Sequence, residues 1–515
     1  MSSSYPQLVE LFHEWRAFEH PPSIDGAPNY TAQQFNQRHS EFERLQKRLQ
    51  AINTETLSRD EHIDWQIVQA EMNGYDFNVR VLKPWERDPA FYQTLWMEQA
   101  DVPAHEGPCN HAIIDVWQYR FPLSKADAEK LEKALRVIPP LLKQAEQNLT
   151  GNARDLWLAG IGNFHQQHQD LLWLKTKTSE HAPLTQTIEA AITANQQFIH
   201  WLEQQAPKKT GPSGVGKEHY TWSQQHVHLL PFTWQQEVDL LQRELDRAWA
   251  NLKLEEQRNK HLPPLKAAST PEEYAAMADK AATQLMRFLA DKNVMPIKPN
   301  MEPALREHLL DFVPEAKRNF FDICRHYDPR GQYCHWYHWF DLAQMRDEPH
   351  PSPIRRGPLL YNIWDSKNEG IATGVEEMFM HMGLYDDSPR SREIVWIMLA
   401  QRAARGLGSL YAHANEMTME EASQVHVKWT PRGWMKAEPH LLKFEQHLYL
   451  RQPGYGTSYV VGKYLIERLM AQKAEQLESE GKAFVMREFF REFNGVGCVP
   501  VMVIDGNHQT QKNVH

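Results

Sequence analysis

Apolar residues recur three and four apart along most of this chain, and side-chain-capped starts punctuate the pattern. That combination specifies helices. In SEFERLQKRLQAI the apolar and long side chains fall on one stripe. Thr233 with Gln236 forms a capping box ahead of a face carrying Val238, Leu241, Leu245 and Trp249. Thr270, Pro271 and Glu273 mark another start, with Tyr274, Met277, Ala281, Leu285 and Phe288 as its buried stripe. Ser124 with Asp127 and Thr418 with Glu421 repeat the capping signature, and Pro139 and Pro140 interrupt or end the helix begun at Ser124. The run VGCVPVMVID reads as β-like, an edge strand because Pro500 cannot donate to a ladder. The expected fold is therefore mainly α, a large multi-helix body with little β. The Pro-, Gly- and Lys-rich loop APKKTGPSGVGKEHY sets a soft boundary between an N-terminal helical region, 1–207, and a C-terminal helical region, 208–515. The two are expected to pack as one unit.

A formal charge of −10 argues against nucleic acid or an anionic membrane surface as the main partner. Cys109, Cys324, Cys334 and Cys498 form no Cys-x-x-Cys pair, which suits a reducing compartment. The N-terminal MSSSYPQLVELFHEW lacks a basic n-region and a long apolar h-region, and no segment holds some 18 consecutive apolar residues. A cytoplasmic address without a membrane partner is the expectation from these features.

Two motif look-alikes fail on context. Gly211-Pro-Ser-Gly-Val-Gly216-Lys217 imitates a phosphate loop, yet Glu218 stands where a hydroxyl would bind magnesium, and a Gln-rich helix precedes it instead of a strand. His105 and His111 bracket Pro108, which disturbs the helix that would aim both imidazoles at one point.

Chemistry concentrates between Arg325 and Asp387. His335 and His338, three apart, are neighbours on a helix and can address one point. The interleaved Trp336, Tyr337, Trp339 and Phe340 bury that helix; the pair is either a metal-ligand pair or two core histidines bonded to carbonyls. Glu369 and Glu376 lie seven apart, two turns on one stripe. Ser366 and Glu369 could instead form a capping box, and Glu377 with His381 reads equally as an ordinary helix pair. Gly383 is expected to end this helix. Glu376, mid-helix between apolar neighbours, needs a cation or a hydrogen-bond partner if buried. Arg355 and Arg356, in a proline-braced loop, suit a carboxylate: a substrate's, or that of a nearby acidic residue. In RQPGYGTSYVVGKY, Tyr455 and Tyr459 are either core aromatics or phenols able to serve substrate and oxyanion.

On NEGIATGVEEMFMHMGLYDD and QPGYGTSYVVGK, with support from GVGKEHYTW, HLLPFTW and GCVPVMVID, the chain resembles domain-of-unknown-function family 885. That bacterial family's fold looks like the helical carboxypeptidase Taq metallopeptidases, a helical body with a central groove. In the family a Glu-Gly pair begins the second site helix and another Glu follows seven residues later, matching Glu369, Gly370 and Glu376. Pro453, Gly454, Ser458 and Tyr459 match its Pro-Gly-x-x-x-Ser-Tyr run. Many members carry His-Glu-x-x-x-His-His ahead of the Glu-Gly helix; here the region reads GQYCHWYHWFDLA, with no glutamate after either histidine. The resemblance implies a metal-dependent, peptidase-like hydrolase of peptides or a small amide. His335, His338 and Glu369 would hold a zinc-like divalent ion, Glu376 or Glu377 would act as base, and Tyr459 would steady the oxyanion. Arg355, Arg356 and Tyr455 would contact substrate. The alternative is an inactive member of that fold that binds a peptide or small ligand.

Overall fold

The computed structural model describes residues 4–437 and 439–504. Among them 68% are helical and 2% lie in strands, so the mainly α class holds. The chain divides into two compact units.

Unit 1 comprises residues 1–100, 105–215 and 450–452. Its core forms where Arg154–Lys177 and Ala182–Gln205 pack with Lys125–Leu135 and Ile138–Asn148. Trp157, Phe164, Leu171 and Leu174 meet Ile188, Phe198 and Leu202 there, all buried. Ser124 accepts from the Asp127 N–H, as its spacing predicts. Pro139 and Pro140 sit in the first turn of the next helix, where their missing donors cost nothing. Two short strand pairs, Ser23–Ile24 with Ala27–Pro28 and Leu95–Trp96 with Ile114–Asp115, are the described β structure.

Unit 2 comprises residues 101–104, 216–449 and 453–515. The predicted starts at Thr233 and Thr418 are reciprocal capping boxes, opening Trp234–Arg258 and Met419–Trp429. Thr270 caps Pro271–Asp291. Two other helices are buried on nearly every face: Asp365–His381, the glutamate helix, and Ser391–His413, the arginine helix. A helix enclosed on all sides is the central kind around which others pack. The glutamate helix crosses Tyr455–Ser479, the tyrosine helix, at two glycines. A Cβ on Gly370 would stand 2.5 Å from the Gly462 carbonyl carbon, and one on Gly462 would stand 2.1 Å from the Ser366 carbonyl oxygen. Only bare backbones fit, and that contact sets Glu369 beside Tyr455. Gly454, at φ +91°, makes the left-handed turn that opens the tyrosine helix.

Two local expectations change. The VGCVPVMVID run is no strand: Val501–Val503 forms a short 3₁₀ turn, and the Val501 N–H donates to Ser366 Oγ. Asp505, its last residue, lies outside the described residues. Ser366 and Glu369 make no cap, because the helix begins at Asp365 and both residues are inside it. Gly383, at φ +98°, follows the helix end as expected.

Candidate metal centre

The two histidines arrive on consecutive short helices, Arg330–His335 and Tyr337–Asp347, with Trp336 at the break. The break, which a single-helix reading misses, leaves the imidazoles 5.0 Å apart between ring centres at 89° to one another. Both face Glu369. His338 Nε2 lies 3.2 Å, and His335 Nε2 3.6 Å, from Glu369 Oε2. The three donors all lie within 4.8 Å of one another.

Nitrogen and oxygen donors about 2.0–2.2 Å from a tetrahedral zinc stand about 3.4 Å apart. The two contacts to Glu369 are close to that edge length, and two imidazoles with one carboxylate are a donor set zinc uses in hydrolases. His338 Nδ1 has no hydrogen-bond partner among the described residues. The residues fit a divalent ion.

Burial alone would push the Glu369 carboxyl up and the His338 imidazole down. The charge each lends the other outweighs burial: His338 is raised to about 9 and Glu369 falls well below the usual carboxylate range. The Tyr455 hydroxyl donates to Glu369 Oε1, fixing the carboxylate from its other side.

Glu376 joins the cluster through His335. Its Oε1 lies 3.0 Å from His335 Nδ1 and accepts from Arg402 Nη2 at 2.7 Å. Arg402 Nη2 also lies 3.1 Å from His335 Nδ1. One ring nitrogen cannot both accept from arginine and donate to glutamate. When Nδ1–H donates to Glu376, the Nε2 lone pair faces Glu369 and is open to a metal; when Nδ1 accepts from Arg402, Nε2 carries the proton. The surroundings of His335 thus couple its tautomer to ligation. Arg402 is missed by sequence reading, although an arginine in the apolar run IVWIMLAQRAARGLG signals a buried charge that must find a counter-ion.

Glu377 does not reach the cluster. Arg247 grips it with two bonds of 2.8 and 2.7 Å, and Lys463 Nζ stands 3.0 Å away. Burial would raise its carboxyl, but these cations hold it far below the usual range. The neighbour of Glu376 thus points along another stripe of the same helix, and His381 stays beside it as an ordinary helix pair. Tyr459 stacks on His335 at 6.1 Å, with the Arg405 guanidinium over its ring. Arg355 and Arg356 are not at the cluster either; with Asp341, Lys367 and Asn368 they line a separate cavity.

Two solved structures are similar over the whole length. One is a putative lipoprotein of unknown function from Shewanella oneidensis, at 15% identity and TM-score 0.68, covering 98% of this chain and 99% of that one. The other is a putative lipoprotein from Colwellia psychrerythraea, at 14% identity and TM-score 0.67, covering 99% of each chain. Identities this low establish the shared fold. The cytoplasmic expectation is corrected here: both neighbours are described as lipoproteins, and the cysteine and N-terminal arguments that suggested a cytoplasmic address do not stand against that. No described helix is long and apolar enough to cross a membrane. Among curated proteins none matches the chain. Residues 338–507 match the family described as bacterial protein of unknown function, a span that takes in His338, both glutamates and both tyrosines but starts just after His335. Over that region the match agrees with the resemblance to the DUF885 family read from the sequence.

Proposed function

We propose that unit 2 is a metal-dependent hydrolase of peptides or small amides, with His335, His338 and Glu369 holding a divalent ion, zinc by donor type. The convergence of these three donors, with both histidine–Glu369 spacings near a tetrahedral edge, carries the reading. Such an ion supplies Lewis acidity toward a carbonyl oxygen. The chain's own residues do the rest. Tyr455 holds the Glu369 carboxylate in place, and Glu376 with Arg402 selects the His335 tautomer. Glu376 is also the glutamate that touches the cluster, so the proton-accepting role falls to it and not to Glu377. Arg402 already occupies one of its oxygens, which makes turnover slow compared with an enzyme whose base is unencumbered. Tyr459, stacked on His335, offers a phenol for the oxyanion.

One observation favours the second reading, a ligand-binding protein without chemistry. The cluster closes on itself: a charged His338 pairs with Glu369, and Arg402 pairs with Glu376, so the charges are balanced without an ion. Metal analysis separates the two. Protein made without a histidine tag and dialysed against zinc should hold about one equivalent per chain, and His338→Ala should lose it. Substoichiometric zinc, unchanged in the variant, rules out the hydrolase and leaves the binding protein.

A further inference from the structure

The cavity that takes Arg355 and Arg356 measures about 120 Å³. It draws its walls from the two helices that carry the metal cluster. Asp341 follows His338 by one turn, and Lys367 and Asn368 immediately precede Glu369. The third wall comes from a distant segment: the Cys498 N–H donates to the Arg355 carbonyl, and Gly497, at φ +81°, lies so close that a Cβ would be 2.9 Å from the same oxygen.

The wall chemistry selects a ligand. Lys367 is 4% exposed, yet its nearest carboxylate oxygen, on Asp341, is 3.8 Å away, beyond hydrogen-bond range. A buried ammonium so loosely paired calls for a further anion. Arg355 is buried beside it, and Arg356 is exposed at the rim with one bond to the Pro351 carbonyl. Asn368, 2% exposed, spends its amide N–H on Asp341 at 3.5 Å, while its Oδ1 has no hydrogen-bond partner among the described residues. The cavity thus offers Lys367 and, at the rim, Arg356 for an anion, and a carbonyl acceptor for an N–H. Asp341 and Glu348 in the same walls oppose a dianion such as phosphate. At about 120 Å³ the cavity lies well below the roughly 300–1,000 Å³ of pockets for drug-sized ligands, which suits a single terminal residue and not a peptide.

We infer that this cavity binds the carboxyl-terminal residue of an acylated amino acid or short peptide, its carboxylate against Lys367 and Arg356 and its amide N–H toward Asn368. Asn368 precedes Glu369 on the same helix, so the cavity and the cluster draw on neighbouring residues of one element. The inference deepens the hydrolase reading by naming the substrate as one with a free carboxylate next to the amide. It rests on that reading for the chemistry and not for the binding.

Titration calorimetry on the full-length, chelator-treated protein tests it with N-acetylalanine, N-acetylalaninamide and inorganic phosphate. N-acetylalanine should bind at least about tenfold more tightly than its amide or phosphate, since only it matches both charge and N–H. Lys367→Gln should weaken it about tenfold and Asn368→Ala severalfold, as expected for losing a charged and a neutral partner. Arg356→Gln, at an exposed position that leaves folding intact, should weaken it severalfold as well. Absence of N-acetylalanine binding at millimolar concentration, equal affinity for the amide or for phosphate, or unchanged binding in both Lys367→Gln and Arg356→Gln overturns the assignment. Because the titration is run on chelator-treated protein, failure of the metal site leaves this result standing.

Discussion

Arg402 is 99% buried by side chain, and only one of its three nitrogens has a hydrogen-bond partner among the described residues. A guanidinium kept in that state must return something, and its contacts show what: it neutralises Glu376 and competes for His335 Nδ1. Arg402→Met should cost about 3–5 kcal/mol of unfolding free energy, because Glu376 is left as an uncompensated buried charge. Glu376→Gln strands the buried Arg402 charge in turn, so its stability loss should be comparable, although an acceptor for Arg402 remains. Its zinc affinity should also fall about 10–100-fold, the effect of removing a partner that orients a ligand histidine. Urea denaturation and zinc competition titration measure the two quantities separately. A loss under about 1 kcal/mol in both variants would contradict the charge argument. At this scale the sequence revealed half the site. Histidines three apart and glutamates seven apart are visible patterns, whereas Arg402 approaches them from a helix some 60 residues on, and Glu376 and Glu377 differ only by a helical rotation whose outcome depends on where Arg247 and Lys463 lie.

Among the helices, the decisive contact is the crossing of the glutamate and tyrosine helices. The resemblance motifs NEG and VVGK contain the two glycines that make it, but sequence alone could not show that they touch each other. Gly462→Ala forces a methyl onto backbone 2.1 Å away that has no rotamer to retreat into. It should destabilise the protein by at least about 1–3 kcal/mol, the range for overpacking, and weaken zinc binding because Tyr455 no longer meets Glu369. Gly374, on the glutamate helix, is the control: a Cβ there meets Met378 Cε at 3.5 Å and Lys463 Cγ at 3.9 Å, ordinary contacts with flexible side chains. Gly374→Ala should stabilise by about 0.5–1 kcal/mol through helix propensity. Thermal melts of the pair should move in opposite directions. The capping boxes were legible because a cap is a local bargain between four residues. The VGCVPVMVID run was not, because a buried irregular segment and a buried strand ask for the same apolar residues, and Ser366 decided the matter from 135 residues away.

For the molecule as a whole, stability against pH follows from which buried groups hold protons when folded. Glu369 and Glu377 are depressed, so their contribution is present above about pH 4.5 and is lost as pH falls further. Glu237 works the other way. It is fully buried, with the Tyr220 hydroxyl donating to its Oε2 at 2.8 Å and Thr457 beyond that hydroxyl. Burial outweighs those hydrogen bonds and lifts its carboxyl from 4.5 to about 7. The folded state therefore keeps a proton on Glu237 between pH 4.5 and 7 that the unfolded chain has released. More protons bound in the folded state means stability falls as pH rises through this window and levels off above it. A shift of that size is worth about 3 kcal/mol, at 1.36 kcal/mol per unit. Glu237→Gln carries the neutral shape at every pH, still accepts from Tyr220 and removes the titration. The difference in unfolding free energy between variant and parent should thus grow by about 3 kcal/mol in the variant's favour from pH 4.5 to 7.5. Parallel pH profiles for the two proteins, measured by denaturant titration, would show that Glu237 stays charged in the folded state. The Tyr220–Glu237–Thr457 contact ties the GVGKEHYTW and QPGYGTSYVVGK segments together through Glu237 in the first turn of Trp234–Arg258, so such a result would also mean that water reaches the place in unit 2 where these three residues meet.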